Sequence, residues 1–271
     1  MNDILLRSLT GAIFVGVLIG ALMLGPLATA ILFFIFTVFG LGEYYKLINS
    51  ANPGSNSLIT GVTGGAIFYI LLVYSMIIDL TFSNEAFIYI LFALILPIEL
   101  YRKKTNPIQN VATLLFGWLY LVIPFYLVVK LSWLHWNMDE TASGLIGLFI
   151  LVWTNDSFAY LTGRFFGRTK LFERISPKKT WEGTIGGIVF AVIAGLIISN
   201  IIEQEVVFWI VSALIAALGS IFGDLFESLF KRSVGVKDSG NILPGHGGIL
   251  DRFDAVIFAL PFFYAWIVIF G

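Results

Sequence analysis

Cysteine is absent from the 271 residues, which excludes thiol nucleophiles, Cys-ligated zinc, iron–sulfur clusters and any disulfide framework. Charge is almost as scarce. The 16 Lys and Arg and 17 Asp and Glu make up 12% of the chain, whereas a soluble domain carries about 25%. With 58% hydrophobic residues and a mean hydropathy of +0.93, a water-soluble fold, disorder and a collagen-like repeat are excluded together. What is there instead is a succession of long apolar runs. Lipid satisfies no backbone hydrogen bonds, so such runs must span the bilayer as helices. The expected fold is all-α, a polytopic integral membrane protein, and no nucleic-acid partner is expected.

Runs long enough to cross about 30 Å of hydrocarbon predict nine transmembrane helices, at 4–24, 26–42, 58–78, 86–101, 110–131, 145–163, 183–202, 206–229 and 252–270. Gly25-Pro26 breaks the first two apart, which leaves open two short spans or a re-entrant pair. Arg7, an apolar run and Ala28-Thr29-Ala30 imitate a cleaved signal peptide, but the apolar stretch is too long and more follows at once, so an uncleaved first helix is expected. No internal repeat stands out. The spacings Gly16/Gly20, Gly163/Gly167 and Gly183/Gly187 suit close helix packing. Residues 1–140 read as N-terminal spanning helices, with a turn-rich connector over 49–57, and 141–271 as the region that carries the polar chemistry.

This span count segregates the charges. Arg7, Lys46, Arg102, Lys103, Lys104, Arg164, Arg168, Lys170, Arg174, Lys178, Lys179, Lys231, Arg232, Lys237 and Arg252 fall on one side, leaving only Lys130 of the 16 basic residues for the other. The second side carries Asp79, Glu85, Asp139, Glu140, Glu203 and Glu205. The positive-inside rule makes the basic side cytoplasmic, with the N-terminus inside and the C-terminus outside. No organellar presequence is seen, so the plasma membrane is the expected location.

Acidic side chains within spans are costly and therefore candidates for function. Asp156 interrupts the sixth span in Trp153-Thr154-Asn155-Asp156-Ser157. Asp224 and Glu227, spaced i, i+3, share one face near the end of the eighth, continued by Ser228 and Lys231; Asp251 and Asp254 repeat the spacing at the start of the ninth. Carboxylates from two helices at one membrane depth suit a hard cation, and magnesium takes a few carboxylates plus waters and substrate phosphates. The plain alternative is that these acids pair with Lys231, Arg232, Lys237 and Arg252. Between the two acidic helix ends runs a glycine-rich basic segment, 231–248, whose backbone donors and cations suit phosphate. In the loop 164–182, topogenic charge accounts for Arg164, Arg168, Lys170 and Arg174, while Ser176, Lys178, Lys179 and Thr180 precede a helix N-terminus that favours an anion. His135, between Trp133 and Trp136, reads as an interfacial anchor.

Ser228-Leu229-Phe230-Lys231-Arg232, then Lys237-Asp238, then Leu243-Pro244-Gly245-His246-Gly247-Gly248-Ile249-Leu250-Asp251-Arg252-Phe253-Asp254 resemble the signature of the phosphatidate cytidylyltransferases, or CDP-diacylglycerol synthases. Asn155-Asp156, Ala159-Tyr160 and Ser176-Pro177-Lys178-Lys179-Thr180-Trp181-Glu182-Gly183 with Gly186-Gly187 resemble that family too. The match covers about residues 153–254; the first 140 agree only in hydrophobicity. The resemblance implies transfer of a cytidylyl group from CTP to phosphatidic acid with release of pyrophosphate. It implies magnesium on Asp224 and Asp251, a second cation, potassium, at the same centre, and a homodimer. Asp254 is a ligand or an orienter.

Residues and resemblance together assign catalysis to Asp224, Asp251, Asp254, Lys231, Arg232 and Lys237. They assign substrate binding to Asn155, Asp156, Ser176, Lys178, Lys179, Thr180, His246, Gly247, Gly248 and Arg252. A lipid phosphomonoester is already largely anionic at pH 7, so no strong base is needed, and His246 between glycines reads as a phosphate donor or a turn-former. Two other readings use the same acids: a CTP-dependent polyprenol or dolichol kinase, and an ion-coupled transporter with Asp156, Asp224 and Glu227 as a relay.

Overall fold

A computed structural model gives the architecture for residues 3–51, 58–78, 83–137, 143–236, 239–240 and 247–270, with side chains at 3–8, 83–85, 135–137 and 143 outside what is described. Lys237, Asp238 and His246 lie outside the described residues, as do Asp79, Asp139, Glu140, most of the 49–57 connector and the side chains of Arg7, Glu85, His135 and Trp136.

Helices dominate. They are α1 (Asp3–Leu24), α2 (Pro26–Ala51), α3 (Leu58–Ile78), α4 (Ser83–Arg102), α5 (Pro107–Gly117), α6 (Ile123–Asn137), α7 (Ser143–Phe166), α8 (Trp181–Ile201), α9 (Val206–Ser233) and α10 (Leu250–Phe270). A π-helical turn, Trp118–Val122, joins α5 to α6. Among the described residues, seven helical segments are long and apolar enough to cross a membrane: α2, α3, α5 continuing into α6, α7, α8, α9 and α10; α1 adds a shorter apolar helix, Leu9–Leu24. Many large apolar side chains, Ile59, Leu100 and Ile197 among them, face outward, as a surface in contact with acyl chains requires.

Three departures from the sequence expectation bear on the site. Helix α2 runs past the expected end at 42, so Glu43, Tyr44 and Tyr45 are helical and buried. Helix α9 runs to Ser233, which puts Lys231 and Arg232 on the helix rather than in a loop. The basic loop 164–182 is not all irregular: β1 (Lys170–Phe172) pairs antiparallel with β2 (Ser176–Thr180), an addition to the expected all-α fold. Short, charged strands leave no hydrophobic period to read.

Close backbone approach builds the second half of the bundle. A Cβ on Gly183 would lie 2.7 Å from the Ala159 carbonyl oxygen of α7, and one on Gly187 would lie 2.8 Å from that of Asn155. Gly223 is pressed likewise against the Asp254 backbone, joining α9 to α10. The expected pair Gly16/Gly20 does no such packing, because nothing lies within 4 Å of a Cβ at either. The first half is joined to α10 by an aromatic cluster in which Phe253 meets Phe125 at 5.1 Å, Phe36 at 5.1 Å and Phe33 at 5.8 Å between ring centroids. The π-helical turn rests on α3, its Trp118 indole donating to the Gly61 carbonyl at 2.9 Å.

Candidate active site

Asp156 lies within α7, and its Oδ1 accepts from Ser220 of α9 and, at 3.4 Å, from Asn155 Nδ2. Asn155 is buried, and its Oδ1 has no partner among the described residues. One turn beyond Ser220, Asp224 takes the Ser228 hydroxyl at 3.1 Å on one oxygen and the Lys179 ammonium at 2.6 Å on the other. Lys179 is supplied by the hairpin. Glu182 holds that hairpin by accepting from the Arg168 and Thr169 amides at 3.1 Å. Thr180 ends it in extended backbone, capping α8 through its hydroxyl, which accepts from Gly183 N at 3.2 Å.

The second half of the site is the junction of α9 and α10. Lys231 bridges Glu227 at 2.5 Å and Asp251 at 2.7 Å, with all three largely buried. The other oxygen of Asp251 accepts from Gly248 N at 2.8 Å, Ser239 N at 3.2 Å and Ser239 Oγ at 2.8 Å. The described ends of the glycine-rich segment are thus tied to the first turn of α10. Gly247 adopts φ 82°, open to glycine at little cost, and a Cβ there would come 2.5 Å from Asp251 Oδ2. Asp254 accepts from the Ala255 amide at 2.8 Å.

These groups meet at a cleft of about 420 Å³ lined by Asn155, Asp156, Lys178, Lys179, Thr180, Ser220, Asp224, Asp251 and Asp254, with Arg164 and Tyr160 also on its wall. A smaller cleft of about 180 Å³ shares Asp156, Asp251 and Asp254 and is otherwise walled by α1 and by Trp153 and Arg252. The structure therefore joins most of the residues singled out in the sequence. It does not bring in Arg232, whose guanidinium donates to the Val236 carbonyl at 3.2 Å, or Ser176, which opens β2 away from the cleft lining.

Sequence reasoning missed Ser220 and Arg164. Arg164 was legible: it lies eight residues after Asp156, on the same helical face. Ser220 offered no signal beyond lying one turn before Asp224.

Among the described residues, no three His, Asp or Glu side chains are grouped closely enough to hold a metal ion by themselves. Lys179 pairs with Asp224, and Lys231 lies between Glu227 and Asp251. Carboxylates set apart on three helices fit a hard cation that takes one or two of them and completes its shell from phosphate and water, as magnesium does, and not an all-protein cage.

Fold and site define a class: a helical integral membrane protein with a polar cleft where carboxylates from three helices meet the lysines of a hairpin. The chain belongs to the cytidylyltransferase family, whose sequence model it matches over residues 5–270. It is 33% identical over 174 residues to the phosphatidate cytidylyltransferase of Bacillus subtilis (strain 168), covering 62% of each chain. It is 36% identical over 151 residues to that of Haemophilus influenzae, covering 52% of each. With that of Rickettsia felis it shares 35% over 162 residues, 56% of this chain and 69% of the relative. The chain thus spans about half to two thirds of the length of the curated relatives it matches.

Proposed function

We propose that this protein is a phosphatidate cytidylyltransferase, transferring the cytidylyl group of CTP to phosphatidic acid to give CDP-diacylglycerol and pyrophosphate. The observation that carries the reading is the Lys179–Asp224 pair, because it joins the hairpin cations to the acidic helix ends beside the glycine-rich segment. Fixed cations, backbone donors and hard-metal acids in one cleft are what a nucleoside triphosphate needs. The names of the relatives support the same reaction.

An oxygen of the lipid phosphate attacks the α-phosphorus of CTP; the new P–O bond forms as the bond to the α,β-bridging oxygen breaks and pyrophosphate leaves. The attacking oxygen is already anionic, so the residues need only bring two polyanions together. Lys178, Lys179 and Arg164 bind the triphosphate, with Lys179 exchanging Asp224 for a phosphate oxygen. That exchange frees Asp224. Magnesium, held by Asp224 and Asp251 with phosphate oxygens, would supply positive charge where the leaving group develops its own. Potassium as a second cation, and Asp254 as ligand or orienter, belong to the same proposal. Lys231 stays between Glu227 and Asp251 and keeps the start of α10 charge-balanced. In this reading all nine helical rods span the plasma membrane, the N-terminus and the cleft face the cytoplasm, and the enzyme works as a homodimer.

The test is a magnesium-dependent assay of purified protein with labelled CTP and phosphatidic acid, resolving lipid product and pyrophosphate together. Labelled CDP-diacylglycerol with matching pyrophosphate is expected, reduced about 10²-fold or more by Asp251→Asn. CDP formed with a polyprenol acceptor, or ion flux through sealed vesicles without nucleotide, would overturn the reading.

A further inference from the structure

Glu43 stands outside everything assigned so far. It sits at the end of the apolar stretch of α2, is 4% exposed, and makes no ion pair among the described residues. Instead its two oxygens accept separate backbone donors: Oε1 from Ile249 at 3.0 Å and Oε2 from Leu250 at 3.1 Å. Leu250 opens α10. The first amides of a helix have no partner within it, so a carboxylate from the other half of the chain supplies the cap that the local sequence does not.

The same carboxylate sets the glycine-rich segment. A Cβ on Gly240 would come 2.6 Å from Glu43 Oε1, and one on Gly248 would meet the carboxyl carbon at 2.5 Å. Asp251 accepts from Ser239 and Gly248 as well. The described ends of the segment, Ser239-Gly240 and Gly247-Gly248, therefore lie against two carboxylates, one from α2 and one in the cleft. The α2 turn carrying Glu43 is itself fixed: Tyr44 stacks on Phe230 of α9 at 5.4 Å and 8° and donates to the Thr113 carbonyl at 3.0 Å, while Tyr45 donates to Leu114 at 2.8 Å.

We infer that Glu43 is a positioning residue of the cleft: by accepting the amides of Ile249 and Leu250, the residue before α10 and its first, it fixes the register of that helix, and with it the direction in which Asp251 and Asp254 face the substrates. A charged acceptor at a helix N-terminus also favours the dipole. The inference rests on the cytidylyl-transfer reading for its kinetic consequence, but the cap itself is measurable without it.

Glu43→Gln keeps the shape and leaves one acceptor, turning an amide donor toward the second N–H. Two readouts on the full-length protein separate positioning from folding. In hydrogen–deuterium exchange, peptides covering 247–254 are expected to exchange about tenfold faster while the rest of the bundle is unchanged. In the phosphatidic acid assay, kcat is expected to fall about tenfold and the magnesium needed for half-activation to rise, with KM for CTP within about twofold. Glu43→Asp, which restores the charge one methylene short, should recover part of both effects. Unchanged kcat in Glu43→Gln, or faster exchange throughout the bundle, overturns the inference. A wild type that releases no pyrophosphate overturns the functional reading instead, since that failure shows before any variant is made.

Discussion

Lys179 and Asp224 meet at 2.6 Å with side chains 26% and 41% exposed. An ion pair that open contributes about 0–1 kcal/mol to stability, so exchanging it for a phosphate contact costs the fold little. Lys179→Ala is therefore expected to leave thermal stability nearly unchanged while raising KM for CTP about tenfold, in line with the loss of one charge-assisted contact. Combined with Asp224→Asn the effects should be less than additive, because both substitutions disturb one exchange. A KM for CTP equal to that of the wild type would return Lys179 to the topogenic charges of its loop. At this scale charge that interrupts an apolar helix was a guide for Asp156, Asp224, Asp251 and Asp254, which line the cleft, but not for Glu227, which pairs with Lys231 outside its lining. It was a poor one for Glu43, which lies just past the expected end of a span, and for Arg232, whose position beside Lys231 says nothing of which way the helix turns it.

At the scale of elements, α7 and α8 pack closely beside the cleft, and their separation depends on hydrogen atoms in place of methyl groups. A methyl at Gly187 would meet both the backbone oxygen and Oδ1 of buried Asn155 at 2.8 Å, and a backbone carbonyl within a helix cannot move aside. Gly187→Ala is expected to destabilise the protein by ~1–3 kcal/mol, read as a lower unfolding temperature in detergent, and to reduce turnover by shifting Asp156 away from Ser220. Gly16→Ala is the control, with no neighbour for its methyl and an expected change near zero. Equal behaviour of the two variants would show that glycine spacing is no guide to packing here. Spans were legible because an apolar run long enough to cross lipid has few alternative uses. Their ends were not, since a helix that continues past its apolar stretch turns polar just where a loop would, as α2 and α9 both do. The hairpin was hidden for the same reason, its residues being chosen for charge.

For the whole molecule, the contacts sort into two ends. The C-terminal half of α2 touches α5, the start of α10 and the end of α9 through Glu43, Tyr44 and Tyr45. At the far end Thr29 of α2 meets Ser132 of α6 at 3.4 Å, and the Lys130 ammonium lies 5.1 Å from the Tyr264 ring of α10. Helices that alternate in this way put the hairpin and the turn between α8 and α9 at opposite ends, and the charges follow, with Arg174 in the former and Glu203 in the latter. The absence of cysteine makes this directly measurable, because the unmodified chain gives no background with a maleimide reagent. In sealed vesicles of known orientation, Arg174→Cys is expected to react with an impermeant maleimide only from the cytoplasmic face, and Glu203→Cys only from the other. Labelling of both from one face would break the alternation and with it the gathering of acids at one depth. Labelling of each from the face opposite to that expected would keep the bundle but turn the cleft away from cytoplasmic CTP, and the cytidylyl-transfer reading would then fail on supply of its nucleotide.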